Sequence, residues 1–422
     1  MNKPFTPDPG FAPQDVRSTV ARPTSGAAPF EVDEIFFSRT DERGIIKAFN
    51  TVFVRIAGFT SDKLLNAPHK IIRHPDMPRA AFWLLWKGIQ AGKPVGAYVK
   101  NKASDGLYYW VFALVTPIPG GFLSVRIKPT SKMLAVVEAE YAALRRREIE
   151  EKLKPEDSAQ LLLDRISALG FPSYYSFQTT ALYAEYTARL AAMGRSPDPE
   201  VTDIEAIMRF SQRIAEEKAD LTRKFGTAEL LTANMRINAV RLTVGRGTIN
   251  EIAKGYDLML KDIRQHLRDL SIPRSAEGIF ASTKDERSLF LLCAERIMHE
   301  VRDAFLADGH NYPGVDRETE AERLDKLCLQ YLAGSETALK EAIEGAVRVR
   351  RDADFLRRLV VGLSSIRITC RVESGILQGK ADGLETIVER LDNFHDEIAE
   401  NLEKIEDAAD AITRCVLEHL RR

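Results

Sequence analysis

The chain has 422 residues, 45% of them hydrophobic and 29% charged, enough to bury a core and to build two or three domains. Its 60 basic side chains nearly cancel 61 acidic ones. That balance excludes a global field of the kind that draws a protein onto nucleic acid or an anionic membrane, so the expected partner is another protein. Cys293, Cys328, Cys370 and Cys415 lie too far apart for a CxxC metal site or a disulfide framework, which fits a reducing, cytoplasmic setting.

Residues 1–30 open the chain with a Pro-rich leader, Lys3 to Pro29, that lacks the segments of a secretory signal and reads as disordered. Five strands are predicted next: Phe36 to Thr40, Gly44 to Phe49, Val95 to Lys102, Leu107 to Thr116 and Phe122 to Lys128. Turn signals at Asp41-Glu42-Arg43-Gly44, Ser104-Asp105-Gly106 and Pro119-Gly120-Gly121 join strands one to two, three to four and four to five. Between strands two and three lie helical stretches at Thr51 to Ile56, Ser61 to Leu65 and Pro78 to Gln90. The order predicts an α+β chain whose first domain, 31–130, is an antiparallel five-stranded sheet with a helical crossover. The longest apolar stretch, Leu107 to Val125, is broken by Pro117, Pro119, Gly120 and Gly121, so no membrane span is expected.

After Pro129 the pattern turns helical. Met133, Val137, Tyr141 and Leu144 predict a signalling helix over 131–155 that leaves the sheet. A helical region over 156–333 and a C-terminal bundle or coiled coil over 334–422 follow. In the last helix, Leu384, Val388, Leu391, Ile398, Leu402, Ile405, Ala409, Ile412 and Val416 alternate in steps of four and three, a coiled-coil or bundle seam at a 3.5-residue period, and a homodimer is expected. His395 falls on the missing step, where a polar register-setting position is the simpler reading and a ligating histidine the alternative. Arg348 to Arg358 reads as a solvated face paired with acidic neighbours. Phosphate-loop, HExxH, GxSxG, kinase and cyclase motifs are absent, and His299-Glu300 and His310 have no partner at metal-ligand spacing. The expectation is a signalling protein and not an enzyme.

The run from Pro68 through His69, Arg73-His74-Pro75-Asp76-Met77-Pro78 to Phe82 resembles the hallmark of the PAS domain of bacterial aerotaxis receptors, the Aer family. The resemblance continues through Trp86, Val99-Lys100-Asn101-Lys102, Asp105-Gly106 and Tyr109-Trp110-Val111, with Ala48 to Phe53 and Gly58-Phe59-Thr60 upstream, about ninety residues in all. It implies a sensor that holds FAD non-covalently and reports redox state, oxygen or energy to the chemotaxis machinery. By the same resemblance Asn50, Arg73, His74 and Asp76 are flavin contacts, and Trp86, Tyr98, Asn101 and Trp110 are pocket walls. One departure is Val95 after Pro94, where family members commonly carry Trp.

A plainer reading of the same residues pairs Arg73 with Asp76 at the surface and uses Trp83, Trp86 and Trp110 as core. An empty pocket or a haem then stands as the alternative to FAD, and a scaffold that assembles a signalling complex as the alternative to a sensor. Residues 231–263, with Asn238-Ala239 and Gly245-Arg246-Gly247, faintly resemble the kinase-binding tip of methyl-accepting chemotaxis proteins, although the segment is short and a plain helix-turn-helix corner explains it as well. The resemblance implies a chemotaxis kinase, an adaptor or a chemoreceptor as partner.

Overall fold

The computed structural model describes residues 22–241, 246–270, 274, 278–308, 310, 312, 314–376 and 384–419. Strands β1 (Ile35–Asp41) and β2 (Ile46–Phe49) form the first hairpin. Helices α1 (Thr51–Ala57) and α2 (Ser61–Leu64), a 3-10 turn (His69–Ile72) and α3 (Arg79–Gln90) make the crossover. Strands β3 (Val95–Lys102), β4 (Tyr108–Ile118) and β5 (Gly121–Ile127) complete an antiparallel sheet of order β2-β1-β5-β4-β3, the architecture predicted. The last strand enters beside the first, so β5 sits at the centre. There Gly121 pairs with Asp41, and a Cβ on it would lie 1.9 Å from the Thr40 carbonyl oxygen, so only glycine lets these backbones meet.

Residues 22–30 depart from the expectation of a disordered leader. Arg22 pairs with Asp105 at 2.6 Å, the Ala28 amide donates to the Tyr108 carbonyl at 2.7 Å, and Phe30 packs edge-on against Phe36 in the core. Pro-rich composition hid the ion pair, the backbone hydrogen bond and the aromatic contact that fix this stretch. The remainder of the expected leader, 1–21, lies outside the described residues.

The sheet belongs to a unit comprising residues 1–201, 275–282 and 286–336. Its helices are α4 (Met133–Glu150), α5 (Pro155–Ala168), α6 (Tyr174–Ala192), a 3-10 turn (Gly278–Phe280) and parts of two longer helices, α9 (Lys284–Ala307) and α10 (Arg317–Ile376). Successive strand residues face opposite sides of a sheet. One face looks toward the crossover, and the chain's own helices cover the other. Phe37 meets Phe305 of α9, Arg39 grips Glu320 of α10 at 2.7 Å, Tyr98 donates to Glu185 of α6 at 2.6 Å, and the Gly96 amide donates to Gln178 of α6 at 3.0 Å. The helix predicted to leave the sheet instead lies along it: Val137, Tyr141 and Leu144 of α4 are buried, with Tyr141 6.3 Å from Trp110.

The second unit comprises residues 202–274, 283–285 and 337–422. It contains most of α7 (Pro199–Arg241), α8 (Arg246–Asp269), the distal part of α10 and α11 (Leu384–His419). Helices α7 and α8 run antiparallel, with Lys218 bonded to the Arg268 carbonyl near one end and Arg236 paired with Asp257 nearer the other. Residues 242–245, which include Gly245 of the tip-like motif, lie outside the described residues.

The seam predicted to join two copies is buried within a single chain: Val388, Leu391, Ile398, Leu402, Ile405, Ala409, Ile412 and Val416 are all interior. Phe394 fills the step beside His395 and meets Phe225 of α7. The 3.5-residue period fits packing inside a bundle as well as between chains, and within this unit it serves the bundle. His395 is buried and bonds the Tyr256 hydroxyl at 2.9 Å, a polar position inside the bundle. Arg350 and Arg357 pair with Glu406, and Arg358 with Asp354, which makes the basic stretch of α10 a paired face. No group of His, Cys, Asp and Glu suited to a metal ion occurs among the described residues, and no described helix is long and apolar enough to cross a membrane.

Candidate functional site

Between the crossover and the inner sheet face lies a slot of about 230 Å³. Strand alternation decides which side chains reach it: Val99 and Asn101 from β3, Ala113 and Val115 from β4, and Phe122, Ser124 and Arg126 from β5. Phe82, Leu85, Trp86 and Ile89, spaced three and four apart on one face of α3, form the opposite wall. Trp86 stands edge-on to Phe122 at 5.4 Å, and its ring lies over Gly44, whose φ of +77° closes the β1–β2 hairpin. Val95 faces α3 at Gly88, where a Cβ would come within 2.3 Å of the valine, so that position serves the helix–sheet contact and not the slot.

Thr40, Asn101, Ser124 and Arg126 are the buried polar side chains of the slot, while Arg43, Lys70 and Arg73 line it from exposed positions. Arg126 is 3% exposed and sits mid-strand. Its Nη2 donates to Ser38 Oγ at 2.9 Å and to His69 Nε2, while Nη1 has no partner among the described residues. Burial, then the charges of Arg126 and Arg73, push the His69 imidazole well below its ordinary range, so it is neutral and accepts from Arg126. Burial lowers Arg126 to about 10, which leaves it charged at neutral pH. Among the described residues, Asn101, also 3% exposed, presents an Nδ2 with no partner, and no carboxylate lines the slot. Two buried donors and an uncompensated cation are costly in a protein interior unless a ligand satisfies them.

The slot shares Lys70, Arg73, Phe82 and Trp86 with an outer bowl of about 970 Å³. The bowl adds Arg79, Lys87, Lys102 and Arg145, and again no carboxylate lines it. Arg73 stacks its guanidinium on Phe82 at 3.6 Å, with no acidic partner among the described residues, and partial burial lowers its pKa.

The residues singled out from sequence divide into three groups. Arg73, Trp86 and Asn101 line the slot, and His74 lines the bowl, its imidazole lowered by burial against the opposing pull of Asp76. Asn50, Asp76, Tyr98 and Trp110 do not reach either. Asn50 caps α1, its Oδ1 accepting from Phe53 and Phe37 and its Nδ2 donating to the Ile35 carbonyl. The Asp76 carboxylate is on the surface, where a hydrogen bond from Lys100 at 2.7 Å lowers its pKa; the lysine, not Arg73, is its partner. Tyr98 and Trp110 have the wrong strand parity and face the covering helices. Sequence reading missed Arg126 and His69. The signal for Arg126 was available: a lone charge in the apolar run of β5, in phase with Phe122 and Ser124.

Over 126 residues, 29% of its length, the chain is 36% identical to the aerotaxis receptor of Escherichia coli (strain K12), of which it spans about a quarter. The sheet domain is a PAS domain of the aerotaxis-receptor family. No family model matches the chain. Two solved light-oxygen-voltage domains are similar to it at low scores. One, from the blue-light activated histidine kinase of Erythrobacter litoralis EL346, has 14% identity and a TM-score of 0.20 over 22% of this chain and 90% of that one. The other, studied with a flavin analogue, has 17% identity and a TM-score of 0.21 over 28% and 87%. At those scores neither likeness carries weight.

Proposed function

We propose that the PAS domain senses redox or energy state through FAD, and that the chain relays this to a protein partner in a chemotaxis-like pathway, sensing without turnover. The observation that carries the reading is the continuity of an apolar, flat-walled slot holding unpartnered donors with a bowl lined by cations and no carboxylates. A slot of this kind suits a planar heteroaromatic ring with acceptors on its edge, and the bowl suits an attached diphosphate. FAD joins these two chemistries in one molecule and, when bound, supplies a reversible redox couple.

The chain's own residues have distinct tasks. Trp86, Phe82 and Phe122 give the ring its apolar walls and keep water from it. Asn101 and Arg126 orient the ring edge, and Arg73, placed where slot and bowl meet, holds charge at the junction. Strand β5, which carries Arg126, leads directly to Thr130 and Ser131, whose amides donate to the buried Glu185 of α6 at 2.6 and 3.0 Å. A shift of β5 therefore reaches the covering helices within a few residues.

The test is the visible spectrum of the full-length protein before and after dithionite, with and without added FAD. Flavin bands that bleach on reduction, and at least tenfold weaker FAD binding by Arg73→Ala and Asn101→Ala, are expected. A Soret band would assign haem instead. A featureless spectrum after incubation with FAD would overturn the flavin reading and leave the PAS domain as a docking module in a scaffold.

A further inference from the structure

Arg126 is a buried cation without an acid. The groups around it are Ser38 at 2.9 Å, His69 held neutral, the Phe53 ring at 5.3 Å, and Tyr109, whose phenol burial pushes above its ordinary range. The other cationic side chains that line the slot, Arg43, Lys70 and Arg73, add positive potential, and among the described residues no aspartate or glutamate lines the cavity. One guanidinium nitrogen, Nη1, is turned away from solvent with no acceptor among the described residues. A positive charge held in a low-dielectric cavity stabilises whichever state of a neighbouring ligand carries more negative charge, and the effect is larger than in water.

We propose that Arg126 makes the slot select the reduced, anionic form of the isoalloxazine ring over the oxidised, neutral form, so that this residue sets the potential at which the sensor responds. The inference rests on the flavin reading above. Reduction takes two electrons, given in a cell by a reduced electron carrier and in the test by dithionite, which is oxidised to sulfite, together with one proton from water. No bond to the protein forms or breaks, and one negative charge remains on the ring. His69 serves as a positioning residue: as a neutral acceptor it fixes the guanidinium without cancelling its charge.

The experiment measures the midpoint potential of FAD bound to the full-length protein against that of free FAD, by equilibration with reference dyes. The expected result is at least tenfold tighter binding of the reduced form, equivalent to a rise of about 30 mV or more for a two-electron couple. Arg126→Gln is expected to abolish that preference while flavin remains bound, and Arg126→Lys to keep most of it. A wild-type potential at or below that of free FAD overturns the proposal, as does an unchanged preference in Arg126→Gln. If the Gln variant does not fold, the wild-type potential and the Lys variant decide: loss of the preference with the charge retained also overturns it. Failure of the wild-type protein to bind FAD at all defeats the flavin reading itself, so the two failures are distinguishable.

Discussion

Asn50 shows how a residue belonging to a binding motif can act through the fold. Both ends of its amide are consumed by backbone, one as the cap of α1 and as acceptor from β1, the other as donor to β1. Asn50→Ala leaves three buried backbone groups short of a partner and is expected to destabilise by about 2–4 kcal/mol, read as a lower midpoint in urea unfolding. His395 supplies a pH test in the second unit. Burial, aided by Arg367 and opposed by Asp392 and Asp396, lowers its imidazole from 6.5 to about 4. Between those values the unfolded chain binds a proton that the folded one does not. The stability contribution is therefore complete above pH 6.5 and is lost as pH falls toward 4, on the order of 2–3 kcal/mol. The slope of stability against pH over that window is expected to flatten in His395→Gln; an unchanged slope would assign it to other groups.

Among the elements, α3 has no side-chain cap of its own, since Pro78 occupies its N-cap position. The cap comes from α4: buried Glu148 accepts from the Ala80 amide at 3.2 Å, from Ser158 of α5 at 2.6 Å and from Arg145 at 3.0 Å, while Arg145 also donates to the Pro75 carbonyl at 3.0 Å. Because α3 is one wall of the slot and Arg145 lines the bowl, these bonds tie the ligand site to two helices beyond the sheet. Glu148→Ala is expected to cost about 2–4 kcal/mol and to speed hydrogen exchange at Arg79 to Phe82 before the rest of the sheet. Uniform acceleration across the unit would show that the cap has no local role.

The Glu148 cap was not legible in the sequence. The strands were, because turn chemistry and period-two alternation are local signals; Arg73, Trp86 and Asn101, which line the slot, came from separate segments of the resemblance. Glu148 was not, because its partners lie up to 68 residues away and nothing on a helix marks a carboxylate that caps another one. Tyr98 and Trp110 were misplaced for a reason the sequence did contain: their strand parity is opposite to that of Val99, Asn101 and Ala113.

For the molecule as a whole, the last helix shows the limit of periodicity. Its seam is filled by α7, α8 and α10 of the same unit, through contacts such as Phe394 with Phe225, His395 with Tyr256 and Asp410 with Arg350. Deleting residues 384–422 is expected to remove helical circular-dichroism signal well beyond that of the deleted residues, because the apolar stripes of the other helices lose their cover. A loss confined to the deleted segment would return the seam to an intermolecular role.

The outer face of the PAS sheet, closed by α6, α9 and α10, decides what can be cut from this protein. A fragment ending near Pro129 would carry every side chain of the slot and would also bare Phe37, Phe112, Leu114 and Val125 to water, all of them no more than 2% exposed in the intact chain. Such a fragment is a poor surrogate for the intact chain: it would clump through that greasy plane, and any flavin titration on it would report on an orphaned sheet.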